Sequence, residues 1–239
     1  MLLNIKICFK FKGVIYNLQR KWIKILLQPI RVYCFHHVCA EFDSESMNAY
    51  DWMQIDEFKQ KVQKMQQDGV KFISLTEAYN KITNDKWRNN KYAVLTFDDG
   101  YASLKEILPW LEEQHIPATL FINGKYLDGK SFRDSPKEQY LNKEDLFALT
   151  SPFIEIGSHG WEHLDASKIS ADEFKLIIEQ NIQLLHTHPR YVPFHAYTWG
   201  RYTKGSNSVL TQMNITPVLI DGMKNYNNRN AMHRELLAP

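Results

Sequence analysis

Short apolar runs alternate with helically spaced segments from Pro29 onward, and this alternation constrains the fold more than any other feature. Strands that alternate with helices predict a parallel sheet, either an open doubly wound sheet or a closed barrel. In both architectures functional side chains gather where the strands end. The predicted strands are 30–35, 72–75, 92–97, 118–122, 153–157, 192–197 and 217–220, the predicted helices are 55–69, 76–82, 104–113, 143–149, 170–185 and 208–213, and polar or charged loops are predicted at 40–54 and 123–138.

The composition is that of a folded globular chain. The 239 residues are 44% hydrophobic and 23% charged, which excludes disordered and collagen-like chains. The three cysteines form no C-x-x-C pair, so neither a disulfide framework nor a cysteine zinc site is expected, and a reducing compartment fits best. We predict one domain at 29–239, preceded by a separate segment at 1–28.

Positive charge is concentrated at the start of the chain. Residues 1–31 carry seven Lys and Arg and no acidic residue, which leaves 22 basic and 27 acidic residues for the remainder. Phosphate binding requires a basic face on the folded domain, so we expect no nucleic-acid partner.

Residues 1–28 predict a basic amphipathic helix, in which Leu18 and Trp22 belong to an apolar stripe opposite the lysines. One interpretation is a helix packed on the domain, and the other is a peripheral anchor on an anionic membrane. No apolar run reaches the roughly 18 residues of a membrane span, and lysines interrupt each run before it resembles a secretory signal. We therefore expect a cytoplasmic protein, either free or peripheral on the inner face of the membrane.

Two adjacent carboxylates follow a predicted strand in the run Leu95-Thr96-Phe97-Asp98-Asp99-Gly100. Neighbouring like charges are costly unless a cation lies between them or one proton is shared, so a bound metal is one interpretation. The other is an Asp-rich turn that caps the following helix.

A second polar cluster follows the strand at 153–157. In Ser158-His159-Gly160-Trp161-Glu162-His163 two histidines lie four residues apart, and a helix there would place both imidazoles on one face. Two histidines and a carboxylate at strand ends indicate a hydrolytic metal site with open coordination positions.

These motifs resemble those of the polysaccharide deacetylases, the family-four carbohydrate esterases with the NodB-homology fold. Thr96-Phe97-Asp98-Asp99-Gly100 is similar to the family's first motif, and Ser158-His159-x-x-x-His163 is similar to its second. The resemblance extends from about residue 29 to 237. Phe35-His36-His37-Val38 resembles the Tyr-His-x-Val segment of the circularly permuted subgroup.

The resemblance implies a distorted (β/α) barrel of about seven parallel strands and hydrolysis of an N-acetyl or O-acetyl group on a glycan. It assigns Asp98 as the general base and assigns Asp99, His159 and His163 as ligands of one divalent metal ion. Zinc is the first expectation, and cobalt, nickel or iron would also accept this ligand set. Such an ion polarises the acetyl carbonyl and lowers the pKa of a bound water, whose proton the second carboxylate can remove.

The third motif departs from the family pattern. The run Phe194-His195-Ala196-Tyr197-Thr198-Trp199-Gly200 has Thr where permuted members have Pro and Trp where they have Tyr. By resemblance, the backbone N–H of Trp199 would help to hold the oxyanion. The resemblance also points to His36 as the general acid, with His233 and His195 as alternatives.

Three functions are compatible with these features. The first is a metal-dependent deacetylase acting on an amino-sugar glycan or a lipid-linked glycan precursor. The second is a carbohydrate-binding relative with weakened or lost turnover, and the third is a membrane-surface adaptor built on the basic segment. Because a binding protein has no need of both base and ligands, the residue pattern favours the enzyme.

Overall fold

A computed structural model describes residues 29–44, 47, 51–84, 86, 90–128, 139–225 and 230–237. The predicted helix at 1–28 lies outside the described residues, so both interpretations of that segment and the domain boundary after residue 28 stay predictions. Within the described part of the chain, no helix is long and apolar enough to cross a membrane.

Seven parallel strands close into a barrel. Their order around the ring is β1-β10-β9-β8-β7-β6-β5, and β1 pairs with β5 over Arg31↔Ala93 to Phe35↔Phe97 to complete it. Of the remaining strands, β4 pairs with the start of β5, and β2 and β3 form a separate two-stranded parallel sheet. The strands are β1 (Arg31–Phe35), β2 (His37–Cys39), β3 (Trp52–Gln54), β4 (Val70–Phe72), β5 (Lys91–Phe97), β6 (Ala118–Ile122), β7 (Ile154–Ser158), β8 (Tyr191–Ala196), β9 (Thr216–Ile220) and β10 (Met232–Leu236).

Helices connect most of these strands. Short 3-10 helices occupy Ala102–Glu106, Gly124–Asp128 and Thr198–Gly200. The α-helices are α1 (Ile55–Gln67), α2 (Leu75–Thr83), α3 (Leu108–Glu113), α4 (Lys143–Ala148), α5 (Ala171–Leu185) and α6 (Lys204–Gln212). Helix starts follow the expected chemistry: in α5, for example, the Ser170 side chain accepts a hydrogen bond from the backbone N–H of Glu173.

Alternate strand residues face the barrel interior and its outer wall. The inward-facing cluster includes Val32, Val94 and Val218, and α2 packs against it through Leu75 and Ala78. The carboxylate of Glu155, near the amino end of β7, accepts hydrogen bonds from the backbone N–H groups that begin α2. Helix α2 therefore closes the amino-terminal end of the barrel, and the carboxyl end stays available for a site.

The predicted barrel of about seven parallel strands is confirmed, but parts of the local prediction are wrong. The segment 72–75 is not one strand, because β4 ends at Phe72 and Ser74 caps α2 by accepting a hydrogen bond from the Glu77 N–H. The predicted loop at 40–54 contains β3. The sequence reading also missed β10, whose Arg234 interrupts the apolar pattern of a buried strand.

Candidate active site

A cavity of about 210 Å³ opens at the carboxyl end of the barrel. It brings together all six predicted site residues, which follow different strands of the barrel. Its lining includes His36, Asp98, Asp99, His159, His163 and Trp199. The geometry thus unites every residue that the resemblance assigned to catalysis or metal binding.

A tight left-handed turn separates the two carboxylates after β5. The N–H of Asp98 donates to the Phe35 carbonyl, and the N–H of Gly100 donates to the carbonyl of Asp98 itself. Asp99 has φ 69° and Gly100 has φ 78°, so two consecutive residues adopt the left-handed region. Both carboxylates are buried, and they face different partners.

Asp99 meets both histidines of the second motif. Its Oδ1 lies 3.2 Å from Nε2 of His159 and 3.2 Å from Nε2 of His163. One ligand atom from each residue lies within 4.8 Å of the others, a spacing suited to a single ion.

The segment that carries the two histidines is a loop. Their four-residue spacing therefore does not place them on one face of a helix. Gly160 turns the chain with φ 88°, and the Asn123 side chain donates hydrogen bonds to the carbonyls of His159 and Gly160. The loop, rather than a helical face, brings His163 back toward Asp99.

The donor set fits a divalent cation. Nδ1 of His159 lies 2.8 Å from the Ala196 carbonyl, which can only accept, so Nδ1 carries the proton in the neutral ring and Nε2 presents its lone pair to Asp99. Oδ1 of Asp99 is buried without a hydrogen-bond donor among the described residues. A carboxylate oxygen and an imidazole lone pair repel each other when they face each other. A cation between them, or protonation of the ring, removes this repulsion.

Electrostatics favours the charged forms of Asp99 and His159. Burial opposes ionisation of Asp99, but its contacts with His159 and His163 hold the pKa of its carboxyl well below the usual value. Burial likewise disfavours a charged His159, yet the carboxylates of Asp98 and Asp99 raise the pKa of its imidazole.

Asp98 forms a bidentate ion pair with Arg234. Nη1 and Nη2 of Arg234 donate to its two carboxylate oxygens at 2.6 and 2.8 Å. Burial alone would raise the pKa of Asp98, but Arg234 and the neighbouring His159 lower it to about 2. The carboxylate is therefore ionised throughout the physiological range.

The three candidate acids lie in different surroundings. His36 lines the cavity, and one of its ring nitrogens lies within 4.8 Å of an Asp98 carboxylate oxygen. His233 instead lies on the outer wall, where Nδ1 contacts the Asp221 carboxylate at 2.9 Å. His195 is buried beside Ser158 under α5, and burial together with nearby His159 holds the pKa of its imidazole well below the usual value. Of the three, only His36 faces the cavity.

Trp199 lies in a strained turn at the rim. Its φ of 58° is rare for a bulky residue and costs about 1–2 kcal/mol. The Thr198 hydroxyl donates to the Leu164 carbonyl, and Arg201 pairs with Asp165 at 2.9 Å. These contacts tie the Trp199 turn to the loop that carries His163.

The sequence reading missed Arg234 as a site residue. Its partner Asp98 lies 136 positions away, so local spacing carries no sign of the pair. Met232 and Arg234 lie two residues apart in β10, so they face the same side of the strand. Met232 belongs to the inward-facing cluster, and this spacing therefore places Arg234 inside the barrel as well.

The chain is similar to known deacetylases in sequence. The family model described as polysaccharide deacetylase matches residues 85–218. YxkH of Bacillus subtilis (strain 168), which carries the provisional name of a polysaccharide deacetylase, is 24% identical over 166 residues. That match covers 67% of this chain and 57% of YxkH, so the chain spans little more than half the length of this relative.

Solved structures share the fold. IcaB from Ammonifex degensii superposes with a TM-score of 0.78 at 19% identity, covering 90% of this chain and 94% of IcaB. The deacetylase PplD of Streptococcus pyogenes, solved in complex with acetate, gives a TM-score of 0.76 at 21% identity, covering 89% of this chain and 94% of PplD. The match of the family model to more than half of the sequence, together with this shared barrel, shows that the chain belongs to the polysaccharide deacetylase family.

Proposed function

We propose that this chain is a divalent-metal-dependent hydrolase that removes N-acetyl groups from an amino-sugar glycan or a lipid-linked glycan precursor. The observation that carries the proposal is one cavity in which an Arg-paired carboxylate lies beside a second carboxylate and two imidazoles. Binding alone needs no such combination of base and ligands.

The metal would be held by Asp99, His159 and His163. When bound there, a divalent cation polarises the acetyl carbonyl and lowers the pKa of an attacking water. The identity of the ion stays open among zinc, cobalt, nickel and iron, because a set of two imidazoles and one carboxylate suits each of them.

Asp98 would accept the proton of the attacking water. A carboxylate with a pKa of about 2 is a weak base, so it can act only on a water whose own pKa has been lowered. Arg234 holds the carboxylate oxygens in place through two hydrogen bonds, which leaves little freedom for it to turn away from the cavity.

His36 would donate a proton to the departing amine. An amine leaves as a neutral molecule only after protonation, so cleavage of an amide depends on a nearby acid. His36 supplies such a group at the cavity, with Nδ1 4.0 Å from the Asp51 carboxylate. This placement supports an N-acetyl substrate, and the Trp199 N–H is the proposed oxyanion donor.

The test is acetate release from a panel of N-acetylated and O-acetylated oligosaccharides, measured with and without a chelator. We expect release from N-acetylated members, its loss on chelation and its return on adding back a divalent ion. Binding of the oligosaccharides without acetate release would favour the carbohydrate-binding alternative instead.

We also propose that residues 1–28 mediate peripheral association with anionic membrane. Each Lys or Arg near such a surface contributes about 1 kcal/mol, and this attraction weakens as salt shortens the Debye length. The full chain should therefore pellet with anionic vesicles at low salt and less at high salt. If residues 29–239 pellet equally well, the segment has no such role.

A further inference from the structure

The guanidinium of Arg234 lies inside the barrel between a carboxylate and an aromatic ring. On one side it donates to both oxygens of Asp98 and to the Thr96 hydroxyl. On the other side its central carbon lies 5.3 Å from the centroid of the Phe121 ring. The residue is only 1% exposed, and its Nε has no hydrogen-bond partner among the described residues. Contact with the ring is therefore a substantial part of its remaining support.

Gly157 makes room for that ring. Phe121 and Gly157 are register partners on β6 and β7, so both face the interior at the same level. A Cβ added at Gly157 would lie 2.6 and 2.7 Å from two carbons of the Phe121 ring, which is closer than real contacts allow. Any side chain at 157 would push the ring, and a displaced ring would disturb the guanidinium above it.

We propose that Phe121 and Gly157 are positioning residues for the catalytic carboxylate, acting through Arg234. The order of contact is Gly157, Phe121, Arg234 and Asp98, and it runs from the wall of the barrel to the cavity. This inference rests on the proposed function, in which Asp98 accepts a proton.

The physical basis is the limited set of contacts that fixes a buried guanidinium. The hydrogen bonds to Asp98 and Thr96 lie at one edge of the guanidinium. Rotation about the bonds of the long side chain is therefore restrained mainly by packing. Phe121 is fully buried, and its ring lies 5.3 Å from the guanidinium carbon, so it limits the positions that the guanidinium can occupy. Replacing the ring by a smaller, non-planar side chain would let Arg234 and Asp98 shift together.

The first experiment compares F121L with F58L in the metal-loaded enzyme. Phe58 is equally buried but lies in the outer core against Phe35 and Trp110, so its replacement removes the same ring away from Arg234. We expect F121L to lower kcat by about 10- to 100-fold, with KM and metal content within about twofold. F58L should leave kcat near that of the wild type despite a similar loss of stability. Equal kcat in the two variants would overturn the proposal, and F121M replaces F121L if the latter does not fold.

A second experiment tests the order of contact with a double-mutant cycle. G157A should lower kcat in the wild-type background, because its Cβ displaces the ring, and should cost much less in the F121L background. The same fold-loss from G157A in both backgrounds would show that Gly157 does not act through Phe121.

A third readout does not depend on turnover. The guanidinium carbon of Arg234 lies 5.3 Å from the centroid of the Phe121 ring, so the NMR resonances of its side-chain N–H protons should carry a ring-current shift. This shift should disappear in F121L and persist in F58L. The Arg234 signals are identified as those that are absent from the spectrum of R234K. If the wild type hydrolyses no acetylated glycan but shows this pattern, the proposed function fails while the contact between the ring and the guanidinium stands. If the pattern is absent, that contact itself is refuted.

Discussion

The pair between Asp98 and Arg234 allows a quantitative prediction about stability. Lowering of the Asp98 pKa from 3.8 to about 2 corresponds to about 2–3 kcal/mol in favour of the ionised carboxylate in the folded protein. D98N removes that charge and leaves a guanidinium that cannot deprotonate, so we expect a loss of about 3–5 kcal/mol. With an m-value of about 3 kcal/mol per molar urea, the unfolding midpoint would fall by about 1–1.7 M.

The partner variant R234M should behave differently with pH. In the wild type the folded pKa of Asp98 is depressed, so its contribution is present above the unfolded value and is lost as pH falls toward 2. Without Arg234, burial is the largest remaining influence on this carboxyl, against the weaker attraction of His159 and His36. We therefore expect its folded pKa to rise above the unfolded value, so that protonation relieves the buried charge. R234M should therefore become more stable relative to wild type as pH falls from 7 to 5, while D98N should show no such gain.

The decisive measurement is the double variant D98N/R234M. Because it removes both charges, its loss should be smaller than the sum of the single losses by about 2–4 kcal/mol. Urea unfolding followed by fluorescence of the six tryptophans, in the presence of a chelator, gives all four free energies. As a control, the exposed Lys64–Asp68 pair should show a coupling below about 0.5 kcal/mol. Additive losses at Asp98 and Arg234 would refute the reasoning.

Three further predictions concern catalysis and metal binding. H159A should weaken metal binding by about tenfold or more, since it removes a ligand, and elemental analysis showing unchanged stoichiometry would contradict the assignment. D98N should keep its metal but lose about 10²-fold or more in acetate release, and a fully active D98N would make Asp98 a structural residue only. H36A should lower kcat far more than H233A, because only His36 faces the cavity; the reverse ranking would transfer the acid role to His233.

Much of the site was predictable because its parts are contiguous in sequence. Asp98 and Asp99 directly follow a strongly apolar strand, and His159 follows another, so the rule that parallel strands end at the same edge brings them together. The chain forms a loop rather than a helix after Ser158, yet the cluster forms all the same. Its position depends on where β7 ends and on the hydrogen bonds from Asn123, and these do not require a helix.

Contacts made across the barrel were not predictable in the same way. Arg234 reaches Asp98 only because the ring closes through β1, which places β10 and β5 on either side of that strand. A charged residue within a short strand also weakens the apolar pattern on which strand prediction relies. The role of Gly157 was equally hidden, because it depends on the position of the Phe121 ring.

The two adjacent carboxylates have different partners because of one backbone turn. In an extended strand, Asp98 and Asp99 would point to opposite sides, one into the barrel and one into its wall. The left-handed conformation of Asp99 instead keeps its carboxylate at the cavity, where it meets the two histidines, while Asp98 stays in line with β5 and meets Arg234. Gly100 has to follow, since its φ is 78° and a Cβ there would lie 2.9 Å from the Ile122 side chain. The order Asp-Asp-Gly therefore places two carboxylates in one cavity with different partners, and this arrangement is the basis of the two different roles that we propose for them.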